Sequence, residues 1–195
     1  MKTVSYIFSI VVLILFTGNL FSQETAWTAD EAHTKIQFIA VHMAISEVSG
    51  QFNEYEVNVL SDEENFTDAK IDVVIKAKSI DTNNQKRDDH LRSDDFLGVE
   101  QYPEIKFSGK GLRRVDEDKY KLTGDLTIRD VTREVELDVD YRGTIEDMNP
   151  TRAGFKITGT VNRFDYNVDW NKSFTKGLVV SREIDIVCDV QLIKE

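Results

Sequence analysis

The sequence predicts an all-β fold: an eight-stranded antiparallel barrel with a short helical insert after the third strand. Three observations carry that prediction. Apolar and charged residues alternate with period two in eight segments, the mark of strands with one wet face. Short polar turns join the later ones, which makes sequence neighbours antiparallel partners. No long amphipathic helix is offered to cover the apolar faces. The sheet must therefore close on itself or meet a second sheet, and a sandwich is the alternative to the barrel.

In order, the strand segments are 34–42, 52–60, 69–79, 105–112, 120–129, 132–142, 153–163 and 179–192. The third alternates Ala69, Ile71, Val73, Ile75 and Ala77 with Lys70, Asp72, Lys76 and Lys78. Later strands alternate more cleanly: Tyr120, Leu122, Leu126 and Ile128; Val135, Leu137, Val139 and Tyr141; Phe155, Ile157 and Val161. The opposite face of the sixth is acidic, with Glu134, Glu136, Asp138 and Asp140. An eight-stranded barrel has an interior that side chains just fill, or that holds one small ligand. Gly109, Gly124 and Gly159 fall on the inward parity of their strands. They either permit coiling of the barrel or hollow a lumen, and the sequence weighs the two equally.

Between the third and fourth strands lies a dense polar insert from Asp81 to Gln101, with Leu91 and Phe96 as its apolar anchors. It reads as short helical turns over a barrel mouth. Further on, Phe164, Tyr166, Trp170 and Phe174 punctuate an otherwise polar stretch. Amphipathic aromatics of this kind suit a lid at an apolar entrance, and equally a plug in a barrel end.

Residues 1–22 read as a signal peptide: Lys2, an apolar run of about thirteen residues, then small or polar residues to a cleavage site near Ser22 or Gln23. The run is shorter than the roughly 17 to 25 residues of a membrane span. Residues 23–195 then form one barrel domain in a periplasmic or secreted protein. Without the leader, 23 basic groups face 35 acidic ones, a net charge of −12. Nucleic acid and anionic bilayers are repelled on average by such a surface. The single cysteine, Cys188, has no intramolecular disulfide partner and sits in phase with Ile184, Ile186, Val190 and Leu192 as a buried structural thiol.

The chemistry-bearing residues do not assemble into a catalytic site, and the protein is expected not to be an enzyme. His33, His42 and His90 are too few and too scattered for a metal motif. Asp88 near His90 invites a general-base reading, but Ser79, Thr82 and Ser93 stand in no nucleophile-elbow pattern. The simpler account is that Arg87, Asp88, His90, Arg92, Asp94 and Asp95 tie an irregular insert together by charge-assisted hydrogen bonds, with recognition of a ligand headgroup as the functional alternative.

An ordered set of fragments carries a family likeness: Trp27 with His33 and Phe38; His42 with Gly50 and Phe52; Ser79-Ile-Asp-Thr82, Arg87-Asp88, His90-Leu91, Ser93, Asp95-Phe96 and Tyr102-Pro103; Leu126-Thr-Ile-Arg129 before Val131-Thr-Arg133; and Arg163, Asp165-Tyr166 and Trp170-Asn171. From Trp27 to the C-terminus the chain resembles the YceI-like family of secreted, lipocalin-like polyisoprenoid-binding proteins. It departs from the family pattern at Asp130 and Asn167, where glycine is usual, at Glu134 for a frequent proline, and at Ser181-Arg182 for a common Gly-Asp. Asp and Asn tolerate left-handed backbone, so those turns are expected to survive.

The resemblance implies an elongated apolar tunnel that holds an isoprenoid or similar long-chain amphiphile, a quinone or its precursor included, for transport, storage or sequestration. No other cofactor is required. The lumen is expected to be lined by Phe38, Phe52, Val73, Ile75, Phe107, Leu126, Ile128, Val139, Tyr141, Phe155 and Ile157. The mouth and lid would be built from Arg87, Asp88, His90, Phe96, Phe164, Tyr166 and Trp170. Burying a forty-carbon chain from water is worth about 30 kcal/mol gross, beyond the roughly 20 kcal/mol at which non-covalent affinity saturates. Such a lipid resides in membrane, so binding exchanges one apolar surrounding for another, and brief membrane contact is the expected mode. A homodimer through edge strands is left open. The competing reading is a non-lipid interaction or stress-response module with a filled core.

Overall fold

The computed structural model describes residues 24–174 and 177–195; the expected signal segment lies outside the described residues. The chain runs β1 (Ala26–Ala29), β2 (Lys35–His42), β3 (Ser46–Phe52), β4 (Tyr55–Leu60), β5 (Lys70–Lys76), β6 (Ile80–Asp81), α1 (Gln85–Arg92), β7 (Glu104–Asp116), β8 (Lys119–Ile128), β9 (Val131–Ile145), β10 (Arg152–Asn162), β11 (Ser173–Phe174), β12 (Gly177–Leu178) and β13 (Val180–Lys194). Pairing is antiparallel throughout the main sheet. β1 with β2, β3 with β4 and β5 with β6 each behave as one interrupted strand. The result is a closed eight-stranded barrel with one short α-helix among the described residues.

The two ends close differently. At one end β13 pairs with β1, and β1 with β4, which completes the ring through Ala29↔Leu192 and Trp27↔Val59. At the other, β13 pairs with β2, β2 with β3 and β3 with β6, and the sheet stops there instead of rejoining β7. α1 and the loop after it cover that gap. The β9–β10 ladder also stops short of this end, at Asp138↔Thr158. The barrel is therefore sealed by backbone hydrogen bonds below and by an inserted helix and loops above.

Alternation explains the core. Tyr120, Leu122 and Leu126 on β8, Leu137 and Val139 on β9, and Ala153, Phe155 and Val161 on β10 are buried. Outward positions carry ion pairs: Lys110 meets Asp125 at 2.7 Å and Glu134 at 2.9 Å, and Lys121 meets Asp138 at 2.8 Å. Exposed pairs of this kind add little stability each, but they relieve the acidic ladder of β9.

Three expectations need correction. The second strand starts at Ser46, not Phe52, and breaks between β3 and β4; Ser, Glu, Gly and Gln in SEVSGQF hide its alternation. β1 was not foreseen, because four residues are too few to show a period. In the β8–β9 turn the left-handed residue is Arg129, at φ 56°, rather than Asp130, whereas Asn167 is left-handed as expected, at φ 58°.

Candidate ligand cavity

Inside the barrel lies a cavity of about 310 Å³, at the lower end of the range for small-molecule sites. Its wall is drawn from nearly every strand and is almost wholly apolar. Phe38, Phe52, Val73, Ile75, Phe107, Leu126, Ile128, Val139, Phe155 and Ile157 all line it. Tyr141 does not: its ring stacks on Phe155 at 5.2 Å, and its hydroxyl lies 2.6 Å from Thr144 Oγ1 and donates to Glu64 O. Phe66 is the reason. It enters from the β4–β5 loop in a left-handed conformation, φ 57°, is 2% exposed, and meets Trp27 at 5.1 Å and Phe155 at 5.0 Å. This aromatic plug ends the cavity, with Tyr141 behind it.

The inward glycines turn out to be contact points. The Phe107 ring occupies the place where a side chain on Gly124 would stand, and Leu137 does the same over Gly159. At the mouth, Phe38 and Thr82 crowd Gly50 in the same way. These glycines let large neighbours lie across the backbone, and the open volume lies elsewhere.

Cys188 faces the cavity from β13. Burial pushes its thiol up to about 11, so it is a neutral, inert group at physiological pH.

At the mouth, α1 begins at Asn84, whose side chain accepts from Arg87 N, and ends at Ser93, whose hydroxyl donates to His90 O at 2.7 Å. Arg87 and Asp88 are used to fasten the helix. Arg87 Nε donates to Thr82 Oγ1 at 2.7 Å, and that hydroxyl donates to the buried Asp88 carboxyl at 2.5 Å, which also accepts Thr82 N. Arg92 reaches Lys78 O and Ile80 O across the β5–β6 break. His90 turns the other way, with Nε2 2.9 Å from Asp95 Oδ2. Asp88 and His90 therefore form no acid–base pair.

The lid residues split into two groups. The His90 ring meets Phe96 and Trp170 edge-on, at 5.0 and 4.8 Å, and Phe96 and Trp170 touch at 5.1 Å. Phe96 is buried and lines the cavity. Tyr166 is 2% exposed in the apolar cluster beneath, where burial raises its hydroxyl pKa. Phe164 lies instead against the guanidinium groups of Arg163 and Arg182, at 4.7 and 5.1 Å. The Phe174 side chain lies outside the described residues. Arg129 ties the mouth together, with Nη1 donating to Phe96 O at 3.0 Å and Asn167 O at 2.8 Å.

Sequence reasoning missed two residues that matter. Phe66 is the lone large apolar side chain in the polar stretch SDEENFTDAK, and that isolation was its signal. Arg163 ends the inward series Phe155, Ile157, Gly159 and Val161, so parity alone placed a cation in the wall.

Comparison with known proteins agrees with this architecture. A UPF0312 protein of Staphylococcus aureus (strain N315) is 33% identical over 163 residues, which cover 82% of this chain and 92% of that protein. The crystal structure of a Campylobacter jejuni YceI protein matches with TM-score 0.68 and 31% identity, over 80% of this chain and 90% of that one. A polyisoprenoid binding domain from Saccharophagus degradans, implicated in plant cell wall breakdown, matches with TM-score 0.67 at 14% identity, over 88% of this chain and all of that one, and so shares the fold. The YceI-like domain family model matches residues 27–192, and the chain belongs to the YceI-like family.

Proposed function

We propose that this chain is an exported binding protein that holds a polyisoprenoid or similar long-chain amphiphile in the barrel lumen, for transport, storage or sequestration. A single observation carries the reading: a cavity of about 310 Å³ whose wall, Gln37 and Arg163 apart, is apolar from the Phe66 plug to the Phe96 mouth. A filled interaction module would leave no such space. The fold shared with a polyisoprenoid binding domain supports the ligand class, and quinones or their precursors belong to that class. The leader-like N-terminus supports a periplasmic or secreted address.

The reading is of binding without catalysis, since the polar groups of the mouth are engaged in holding α1 and its loop. Ligand exchange with a membrane would use the β2–β3 hairpin. Its tip exposes Val41 (39%), Met43 (37%) and Ile45 (76%). It adjoins the cavity through Ala40, which lines the wall, and Met43 N donates to Val179 O, next to the wall residue Val180. For a homodimer, the edge on offer is the outer side of β3 from Ser46 to Gly50, which pairs with no other described strand.

The test is a transfer assay. Purified protein is mixed with neutral vesicles containing a tritiated prenyl alcohol and separated by gel filtration. The proposal expects label to co-elute with the protein up to about one per chain. No label on protein, at any lipid-to-protein ratio, refutes it.

A further inference from the structure

The cavity wall contains one charged residue among the described residues. Arg163 lines the lumen and is 5% exposed, and burial lowers its pKa from the usual arginine value. None of the ion pairs among the described residues involves it; Asp169, the acid whose field reaches it, is exposed. The guanidinium is surrounded by backbone oxygens instead. Nε donates to Ser181 O at 2.8 Å, Nη1 to Val168 O at 2.5 Å and Trp170 O at 3.0 Å, and Nη2 to Val180 O at 3.2 Å. A guanidinium has five N–H groups, so one on Nη2 is left without a described acceptor.

That arrangement constrains what it binds. A carboxylate or phosphate is held best by two parallel N–H groups, and the fork is already taken. A full negative charge would also have to leave water for an otherwise apolar lumen in which one N–H is free to receive it. A single uncharged oxygen meets neither obstacle.

We propose that Arg163 is the polar anchor of the lumen, donating its remaining Nη2–H to one uncharged acceptor oxygen, a ketone or hydroxyl, on the head of an otherwise apolar ligand. This rests on the lipid-lumen reading above and adds which residue reads the head and which heads it prefers. Arg87 and Asp88, expected at the headgroup, are fastened to Thr82; Arg163 takes that role.

The test uses three probes on one prenyl skeleton: farnesylacetone (ketone), farnesene (hydrocarbon) and farnesoate (anion), titrated into the wild-type protein and Arg163→Met. The variant is expected to bind farnesylacetone about tenfold more weakly and farnesene within twofold of wild type. Equal losses for ketone and hydrocarbon overturn the inference, as does a greater loss for farnesoate than for the ketone. Because Arg163 also holds loop carbonyls, the variant's fold is checked by near-ultraviolet circular dichroism. A second measurement uses wild-type protein alone: the infrared carbonyl band of ¹³C-labelled farnesylacetone shifts to lower frequency on loading, relative to hexane. An unshifted band overturns the inference whatever the variant does. If no probe enters, the lumen reading falls as well; if all enter and respond alike, only the role of Arg163 falls.

Discussion

The ring of Phe107 lies against Gly124 on the neighbouring strand, in the space that a side chain there would need. The β7–β8 register shifts just beyond it, between Gly109 and Gly111, and Ser108 O stands 2.7 Å from the same point, so neither side chain nor backbone yields cheaply. Gly124→Ala is expected to cost about 1–3 kcal/mol through overpacking. At Gly159 the obstacle is the far end of the Leu137 side chain, which can rotate, so Gly159→Ala should cost about 1 kcal/mol or less. Urea denaturation of the two variants checks the order; equal losses contradict it.

Phe66 closes the lumen from below. Phe66→Ala should destabilise by about 3–5 kcal/mol and deepen the cavity toward Tyr141, which allows longer chains to load. Chain-length profiling of bound prenyl alcohols by mass spectrometry reads that shift. An unchanged profile in a folded variant places the end of the lumen elsewhere.

Cys188 reports on the lumen. Its thiol should react slowly with an uncharged maleimide at pH 7, faster as pH rises toward about 11, and more slowly again once lipid is loaded. Its stability linkage has a definite sign, because the folded value lies above the unfolded one of about 9. The contribution, on the order of 2 kcal/mol, is fully present below pH 9 and lost as pH rises through 11. Cys188→Ser should remove that part of the alkaline decline, and paired denaturation curves at pH 8 and 11 measure it.

The β2–β3 tip carries two consecutive left-handed non-glycine residues, Met43 at φ 52° and Ala44 at φ 59°, beside exposed Ile45. Ala44→Gly should stabilise by roughly 1 kcal/mol through relief of that strain. Ile45→Asp should leave loaded lipid in place and slow transfer from vesicles several-fold. Transfer at the wild-type rate in Ile45→Asp removes the hairpin from the exchange route.

The barrel was legible because period-two alternation survives in β5 and β8 to β10, where one face is charged and the other apolar. β3 was illegible in part because its residues are small or polar on both faces, and its place is set by pairing with β2. The inward parity that placed Phe107, Leu126 and Phe155 in the wall also placed Tyr141 there. Parity carries no information on depth along the barrel axis, and the Phe66 plug is inserted from a loop. For the glycines, parity gave direction without occupancy, since whether Gly124 faces a void depends on the Phe107 rotamer across the ladder. The mouth charges were visible as a group, but their partners depend on where α1 meets Thr82, which spacing does not fix.

The central claim is that the lumen is occupied by a chain-like lipid in its native setting. Native mass spectrometry of protein exported by its own host and purified without detergent tests it directly. The account predicts a single adduct of prenyl-lipid mass on most molecules, released by organic solvent and restored by added lipid. Protein at bare polypeptide mass that also fails to take up added prenyl lipid contradicts it.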